Sequence, residues 1–579
     1  MKKEVLFFTL AYSILVFCTL ITSKSFVDYT HCGVYLYIFI SSLLFCAILL
    51  KSIFKKIAIS CSSLTLCFAG FILYVLINSW LNNVPNALKS EKFIVLLFSF
   101  FHFLLFSFFI KSWANGSSGF IRPILFVFLF ASLFQAFYSY MQIIGILNNS
   151  HSSFSMGGTL GNPNVLANFL ALSGVMAINY ALHTKNRKDI FIVVFSLMII
   201  LPIIILSKCR TAWVALCIGA IASVYWRFPI WFKSIKGVIC VCISIIVLIF
   251  FITKLYTFKK TSADSRMYTW TQTMFLIKNK PVLGFGYNQF EKTYNLFQAK
   301  QFKSIPENRK DYSRDTYVES TYNDYIEIWF ETGIIGLALF ILIFVSAFRT
   351  KQNRPIIFPS LMAWMFVSVV NYNCVLPFNM LFLSFLLSIA LQEKTKIYIL
   401  KVNKIIAVFL LIICVVFIVG KFQNFQSELK LQSLISNKNR EKIYPKEVTS
   451  IYPHLEKTGK LLHYYALLFQ RQRNLNQSLI IMNEAATVSS NYNIYIALGR
   501  LYNLKKEYER SIENYHTALN ICPYLLTPRY ELMLVYDKTG NERSALREAE
   551  RILEIPPKVP AEKAGIIKME ALKYKNSHN

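Results

Sequence analysis

Two arginines in the apolar first 420 residues have the chemistry of an anion site. Arg210 directly follows Lys208 and Cys209 at the start of an apolar run, and Arg266 lies in a polar insert that extends from about residue 258 to residue 324. A guanidinium group donates from a planar fork that matches phosphate oxygens two at a time. We therefore interpret the two arginines as candidate anion ligands and Lys208 as a supporting charge.

Simpler interpretations stay open for each of these residues. An arginine at the end of a membrane span is often an anchor that snorkels to the interface, and Arg266 can pair with Asp264. The nearby sequence Gly161-Asn162-Pro163-Asn164 fits a loop of the site. It fits equally a bare turn with a helix cap at Asn164, for which Asn and Pro are well suited.

The composition is that of an integral membrane protein with a soluble part. Of the 579 residues, 55% are hydrophobic and 16% are charged, and the mean hydropathy is +0.46, whereas soluble domains carry about 25% charged residues. The net charge of +31 does not indicate nucleic-acid binding, because many Lys and Arg residues fall in short loops between apolar runs. The twelve cysteines contain no CxxC pair or zinc spacing, so we predict neither a metal site nor a disulfide framework.

Apolar runs of spanning length predict about thirteen transmembrane helices in an all-α, polytopic bundle. The runs lie near residues 4–23, 33–52, 57–78, 92–110, 120–146, 165–183, 189–207, 211–226, 235–257, 325–347, 355–372, 376–392 and 404–421. The insert at 258–324 must lie outside the hydrocarbon or line a wet cavity, because lipid cannot hydrate its polar groups.

Basic residues recur in every second connection between these runs, beginning with Lys2 and Lys3. The positive-inside rule therefore predicts a cytoplasmic N-terminus. The same alternation predicts that the 147–164 loop, Arg210, the 258–324 insert and everything after about residue 421 lie on the outer face.

From about residue 425 the sequence becomes that of a soluble helical protein with an internal repeat. Gly499, Tyr502, Ser511, Tyr515 and Ala518 follow the spacing of a tetratricopeptide repeat, and related residues recur 34 residues later and 33 residues earlier. About three repeats are near the minimum for a stable stack. We predict a transmembrane domain at 1–424, a connector at 425–457, a repeat domain at 458–560 and a C-terminal tail at 561–579.

Four segments together resemble the O-antigen ligase family, which includes lipopolysaccharide ligases, O-antigen polymerases and protein O-oligosaccharyltransferases. The resemblance covers roughly residues 150–345. The segments are Gly161 to Ala167, Ser207 to Trp213, Arg266 with Trp270 and Pro281 to Phe290, and Tyr322 to Gly336. They occur in the family's order among membrane spans.

The resemblance implies an inner-membrane glycosyltransferase that takes a glycan from undecaprenyl pyrophosphate and passes it to an acceptor hydroxyl on the periplasmic face. Family members are described as metal-independent, with arginines that handle the pyrophosphate, and the matching positions are Arg210 and Arg266. No cofactor is expected. The expected partners are the lipid-linked donor, a lipid A–core or protein acceptor and a protein bound by the repeats, with no nucleic acid.

The chain departs from the family at the proposed catalytic base. Many members have His-Asn where this chain has Tyr322-Asn323, and tyrosine, with a pKa of about 10, is a poor base at neutral pH. Glu319 is the substitute we prefer, with Asp324 and His151 as alternatives. A weak or inactive ligase is the remaining interpretation.

Two rival functions come from other classes of protein. A transporter for lipid-linked glycans would carry ionisable residues within its spans and inverted repeats; we identify few of the former and no sign of the latter. The second rival is a non-catalytic membrane scaffold that displays the repeats, and the loss of the family histidine supports it. Within the enzyme class, the motifs do not separate ligase, polymerase and oligosaccharyltransferase.

Overall fold

The computed structural model describes residues 2–578 apart from 55–57, 114–120, 151–153, 231–233, 235–259, 306–316, 350–353, 391–397, 402, 438–444 and 556–561. The chain packs as two units. The membrane unit comprises Met1–Asn288 and Thr321–Lys421, and the repeat unit comprises Gln289–Ser320 and Phe422–Asn579. The predicted polar insert at 258–324 is therefore divided between the two units.

The membrane unit is built from helices whose apolar side chains form one continuous core. Helices are numbered along the chain: α1 (Lys2–Cys18), α2 (His31–Phe54), α3 (Ser63–Leu81), α4 (Glu91–Trp113), α5 (Ile121–Ile143), α6 (Pro163–His183), α7 (Arg187–Leu206), α8 (Arg210–Arg227), α9 (Lys260–Ile277), α11 (Asp324–Phe348), α12 (Arg354–Val370) and α13 (Pro377–Ala390). The boundary with the repeat unit falls within α14 (Lys404–Ser436). Two four-residue strands, β1 (Ala58–Cys61) and β2 (Tyr398–Lys401), pair antiparallel with Ala58 opposite Lys401.

These helices confirm the all-α prediction, and the chain is a membrane protein. Twelve of the thirteen predicted apolar runs overlap described helices, and the run at 235–257 lies outside the described residues. Within the described part of the chain, eight helices are long and apolar enough to cross a membrane, and three shorter ones are also apolar. The total of about thirteen transmembrane helices stays a prediction.

Helix α11 is kinked at Gly333, and the segment Pro281–Gly286 packs into the kink. Gly333 has φ 70° and ψ −176°, and a Cβ added there would lie 1.9 Å from the carbonyl oxygen of Val282. The Ile334 amide donates to the Pro281 carbonyl at 2.9 Å, and the Gly286 amide donates to the Glu331 carbonyl at 2.8 Å. This segment therefore shapes the fold by pairing with backbone groups that the kink releases.

The repeat unit contains three consecutive helix pairs. Its helices are α10 (Phe290–Ser304), α15 (Pro445–Thr449), α16 (Gly459–Arg471), α17 (Leu475–Val488), α18 (Tyr492–Leu504), α19 (Tyr508–Ile521), α20 (Leu526–Lys538), α21 (Glu542–Glu554) and α22 (Glu562–His578). The first helices of the pairs, α16, α18 and α20, begin 33 and 34 residues apart. The Ser478 hydroxyl donates to the Ala466 carbonyl and the Ser511 hydroxyl donates to the Gly499 carbonyl, each at 2.8 Å. The same contact thus recurs in two successive repeats, and its spacing matches the repeat period predicted from the sequence.

Helix α10 comes from the polar insert but packs within the repeat unit. Oε1 of Glu291 accepts from the Ser490 amide at 3.0 Å and from the Ser490 hydroxyl at 2.8 Å. Ala299, on the same helix, is buried in a cluster with Ile521 and Cys522. The repeat unit therefore includes a helix that precedes the repeats by more than 150 residues in sequence.

Candidate active site

Arg266 is held at the candidate site by contacts with two segments of the membrane unit. Its Nη1 donates to the Val370 carbonyl at 2.7 Å, and its guanidinium carbon lies 5.1 Å from the centre of the Tyr322 ring. One helical turn further along α9, Nε1 of Trp270 donates to the Thr321 carbonyl at 2.8 Å. Two successive turns of α9 are therefore attached to the segment that carries Tyr322.

Arg210 is the first residue of α8 and follows a tight turn. Lys208, in that turn, is exposed and has a positive φ of 53°. Cys209 is buried, with its Sγ 3.7 Å from Oδ1 of Asn168 and 3.9 Å from the Asn164 carbonyl oxygen. Arg210 therefore starts a helix whose N-terminus lies against the start of α6, and the dipole of each helix favours an anion at its N-terminus.

The charges of Arg210 and Arg266 influence one another. The pKa of the Arg266 guanidinium is lowered from its ordinary value, first because burial removes water from the charge and also because the positive charge of Arg210 is near. Tyr322, Tyr372 and Cys209 act in the opposite direction. The structure thus brings the two predicted anion ligands together, and binding of an anion to both would relieve their repulsion.

The Asn162–Asn164 loop contains the helix cap that the sequence left open. Oδ1 of Asn162 accepts from the Asn164 amide at 2.9 Å and caps α6, so Asn162 is the cap rather than Asn164. Glycine amides just before this cap are already bound by the protein, because Oε1 of Gln142 accepts from Gly157 at 3.0 Å and from Gly158 at 2.9 Å. The loop is therefore positioned from α5 by a buried glutamine that the sequence analysis did not identify.

Tyr322 and Asp324 flank the cap of α11 but have different surroundings. Tyr322 has a positive φ of 54°, and its ring packs edge-on against Tyr372, with ring centres 5.7 Å apart. Asp324 is buried, and its carboxylate accepts from the amides of Asn373 at 2.9 Å and Cys374 at 3.4 Å. The Asp324 carboxylate therefore fixes the segment that carries Tyr372, whereas Tyr322 faces the arginine.

The other two base candidates are Glu319 and His151. Glu319 is exposed and belongs to the repeat unit, and His151 lies outside the described residues. A catalytic role for Glu319 stays a prediction.

Sequence reasoning missed a buried ion cluster next to the cap of α11. Nζ of Lys92 contacts Oε1 of Glu327 at 2.6 Å and Oε2 of Glu331 at 2.7 Å, and no more than 8% of any of the three side chains is exposed. The Lys92 ammonium also lies 5.0 Å from the centre of the Tyr287 ring. Two glutamates four residues apart in an apolar run were the available signal, because they share one helix face.

The described residues contain no group of three or more His, Cys, Asp or Glu side chains that could hold a metal ion.

Comparisons with known proteins confirm the resemblance over part of the chain. Residues 167–341 match the family model described as O-Antigen ligase. This span includes Arg210, Arg266 and Tyr322, and it supports a glycosyltransferase of the ligase or polymerase type. A search of curated proteins finds no match.

Among solved structures, the chain is similar to one described as the crystal structure of the APC/C hetero-tetramer Cut9-Hcn1. The identity is 11%, the match covers 93% of this chain and 90% of that chain, and the TM-score is 0.22. At that TM-score the superposition supports no conclusion about the site or the function. The interpretation of the C-terminal region as tetratricopeptide-like repeats rests on the helix pairs and their recurring contact.

Proposed function

From the O-antigen ligase domain at residues 167–341, we propose that this membrane protein transfers a glycan from undecaprenyl pyrophosphate to an acceptor hydroxyl on the periplasmic face. Ligase, O-antigen polymerase and protein O-oligosaccharyltransferase are the three forms of this reaction. The proposal includes an inner-membrane location, a cytoplasmic N-terminus and periplasmic repeats. It keeps residues 1–424 as the transmembrane domain and 458–560 as the repeat domain.

The observation that supports this proposal is the placement of Arg266, which is held by the Val370 carbonyl and lies 5.1 Å from the Tyr322 ring. There its charge also interacts with that of Arg210, 56 residues away in sequence. In the reaction, the bond between the anomeric carbon and the diphosphate oxygen breaks, and the acceptor oxygen bonds to that carbon. The departing diphosphate gains negative charge. Fixed guanidinium groups stabilise that charge without a metal ion and without reorganisation during the reaction.

The acceptor hydroxyl loses its proton as the new bond forms, and we propose Glu319 as the group that receives it. Its exposure leaves it accessible to an acceptor. Asp324 is the weaker candidate, because two backbone amides already donate to its carboxylate. Lys208, exposed beside Arg210, adds positive charge to the region that the donor would approach.

The repeats are proposed to recruit a protein acceptor or a protein partner, because stacked helix pairs present an extended surface suited to peptides. A lipid A–core acceptor is the alternative. Deletion of the gene separates them: loss of long-chain lipopolysaccharide bands alone indicates a ligase or polymerase, and loss of protein-bound glycan alone indicates the oligosaccharyltransferase.

Substitution of the two arginines tests the catalytic proposal. We expect Arg210→Ala and Arg266→Ala to abolish glycan transfer while expression and membrane insertion stay normal. Arg227→Ala is the matched control, because Arg227 is the last residue of α8, the helix that Arg210 begins, and is exposed. An unchanged glycan profile in both arginine variants would contradict the enzyme and favour the scaffold. Accumulation of donor on the cytoplasmic face would favour the transporter.

A further inference from the structure

The residue that faces Arg266 adopts a backbone conformation that needs support. Tyr322 has φ 54°, a backbone region that is strained for a residue other than glycine. The turn around it is closed locally, because the Thr321 hydroxyl donates to the Asn323 carbonyl at 2.7 Å. Such strain persists only where the surrounding structure determines the conformation.

Glu327, one turn inside α11, supplies that support. Its Oε2 accepts from the Thr321 amide at 3.0 Å and lies 3.3 Å from the Thr321 hydroxyl oxygen, whose proton is donated to the Asn323 carbonyl. Its Oε1 accepts from Nζ of Lys92 at 2.6 Å. Both carboxylate oxygens are therefore used, one by the turn and the other by a buried counter-ion.

Thr321 connects Glu327 to the helix that carries Arg266. Its amide donates to Glu327, and its carbonyl accepts from Nε1 of Trp270 at 2.8 Å. Trp270 and Arg266 are four residues apart and share a face of α9. A displacement of Thr321 would therefore move the Tyr322 ring and the anchor of α9 together.

We infer that Glu327, with Lys92 as its counter-ion, is a positioning residue that holds Tyr322 against Arg266 through Thr321. The inference rests on the proposed function, because it assigns Arg266 to the donor diphosphate. Glu327 touches neither the donor nor the acceptor in this scheme. It acts through the geometry of the turn, and small displacements at such positions have large effects on rate.

Glu331 provides a matched control within the same cluster. It contacts Nζ of Lys92 at 2.7 Å, as Glu327 does at 2.6 Å, and only 1% of its side chain is exposed. Glu327, unlike Glu331, accepts from Thr321. Glu327→Gln and Glu331→Gln therefore remove the same charge and leave Lys92 with one carboxylate, but only Glu327→Gln disturbs the turn.

The test measures transfer by the full chain in nanodiscs, with an undecaprenyl-diphosphate-linked oligosaccharide as donor. We expect Glu327→Gln to lower kcat by about 10-fold to 100-fold with little change in acceptor KM, and Glu331→Gln to stay close to wild type. In a double-mutant cycle, the effects of Glu327→Gln and Arg266→Lys should be less than additive, because both act at the same contact.

Equal losses in the two glutamine variants, or additive losses with Arg266→Lys, would overturn the inference. If Glu327→Gln fails to fold, Thr321→Ser and Thr321→Val decide the question. The serine variant keeps the hydroxyl that closes the turn and lies beside Glu327, so it should retain most activity. The valine variant should lose activity; equal activity of the two variants overturns the inference. Full activity of Arg266→Ala would instead contradict the proposed function itself.

Discussion

The Arg266 guanidinium carbon lies 5.1 Å from the centre of the Tyr322 ring. A cation beside an aromatic ring is attracted to the face of its π-system. We therefore interpret Tyr322 as a residue that orients the arginine rather than as a substitute base.

Substitutions of Tyr322 test this interpretation. Loss of the ring removes an interaction worth about 0.5–2 kcal/mol, so Tyr322→Ala should lower glycan transfer by up to about 30-fold. Tyr322→Phe keeps the ring and should stay close to wild type in the same transfer assay. Equal losses in the two variants would show that the hydroxyl is required.

Glu319→Gln tests the proposed base. Removal of a general base lowers the rate by about 100-fold to 10,000-fold. The unfolding temperature should not change, because Glu319 is exposed. In the wild type, kcat should fall at acidic pH as the base is protonated. This fall should be absent in the variant. Glu509→Gln, at an exposed position of α19, is the control; wild-type activity of Glu319→Gln would exclude Glu319 as the base.

Gly333→Ala should destabilise the membrane unit strongly. Its backbone angles are essentially restricted to glycine and cost another residue about 1–3 kcal/mol, and the added Cβ would also meet the Val282 carbonyl oxygen. Thermal unfolding in detergent measures the effect. Gly420→Ala is the control, because a Cβ there meets nothing within 4 Å and lies in helix α14; equal unfolding temperatures would contradict the kink described here.

Glu291 should make stability depend on pH. Its pKa is raised from an ordinary value of 4.5, first because the carboxyl is buried, although the Ser490 and Tyr317 hydrogen bonds oppose the shift. The unfolded chain therefore loses its proton at lower pH than the folded chain does. The stabilising contribution is complete below the unfolded pKa and is lost as pH rises through the folded pKa.

Glu291→Gln should remove this dependence. Unfolding temperatures of the full chain, measured in small steps upward from pH 4, should fall more steeply in the wild type than in the variant. Parallel curves for the two proteins would contradict the assignment.

The sequence predicted the features that depend on local patterns. Apolar runs located the described membrane helices, and the Gly499–Ser511 spacing located the repeats. Arg210 and Arg266 were identified by type and by resemblance. The cap of α6 is Asn162, two residues before the predicted Asn164. The two asparagines flank Pro163, and only the fold selects between them.

The missed features depend on partners that are distant in sequence. Lys92 and Glu327 are 235 residues apart. The periodic pattern within one helix does not show which residue of another helix it will contact. Glu291 and Ser490 are 199 residues apart, so the insert gave no sign that α10 packs with the repeats.

The packing of α10 also bears on how the C-terminal region can be studied. A fragment that starts at Phe422 would omit Ala299 and Glu291, exposing the surface around Ile521 and Cys522 to water and leaving Ser490 without its carboxylate. Such a fragment would be prone to self-association. A ligand that it captures would bind at the surface that α10 covers in the full chain. Expression designs for binding or crystallisation should therefore graft residues 289–304 onto the repeats.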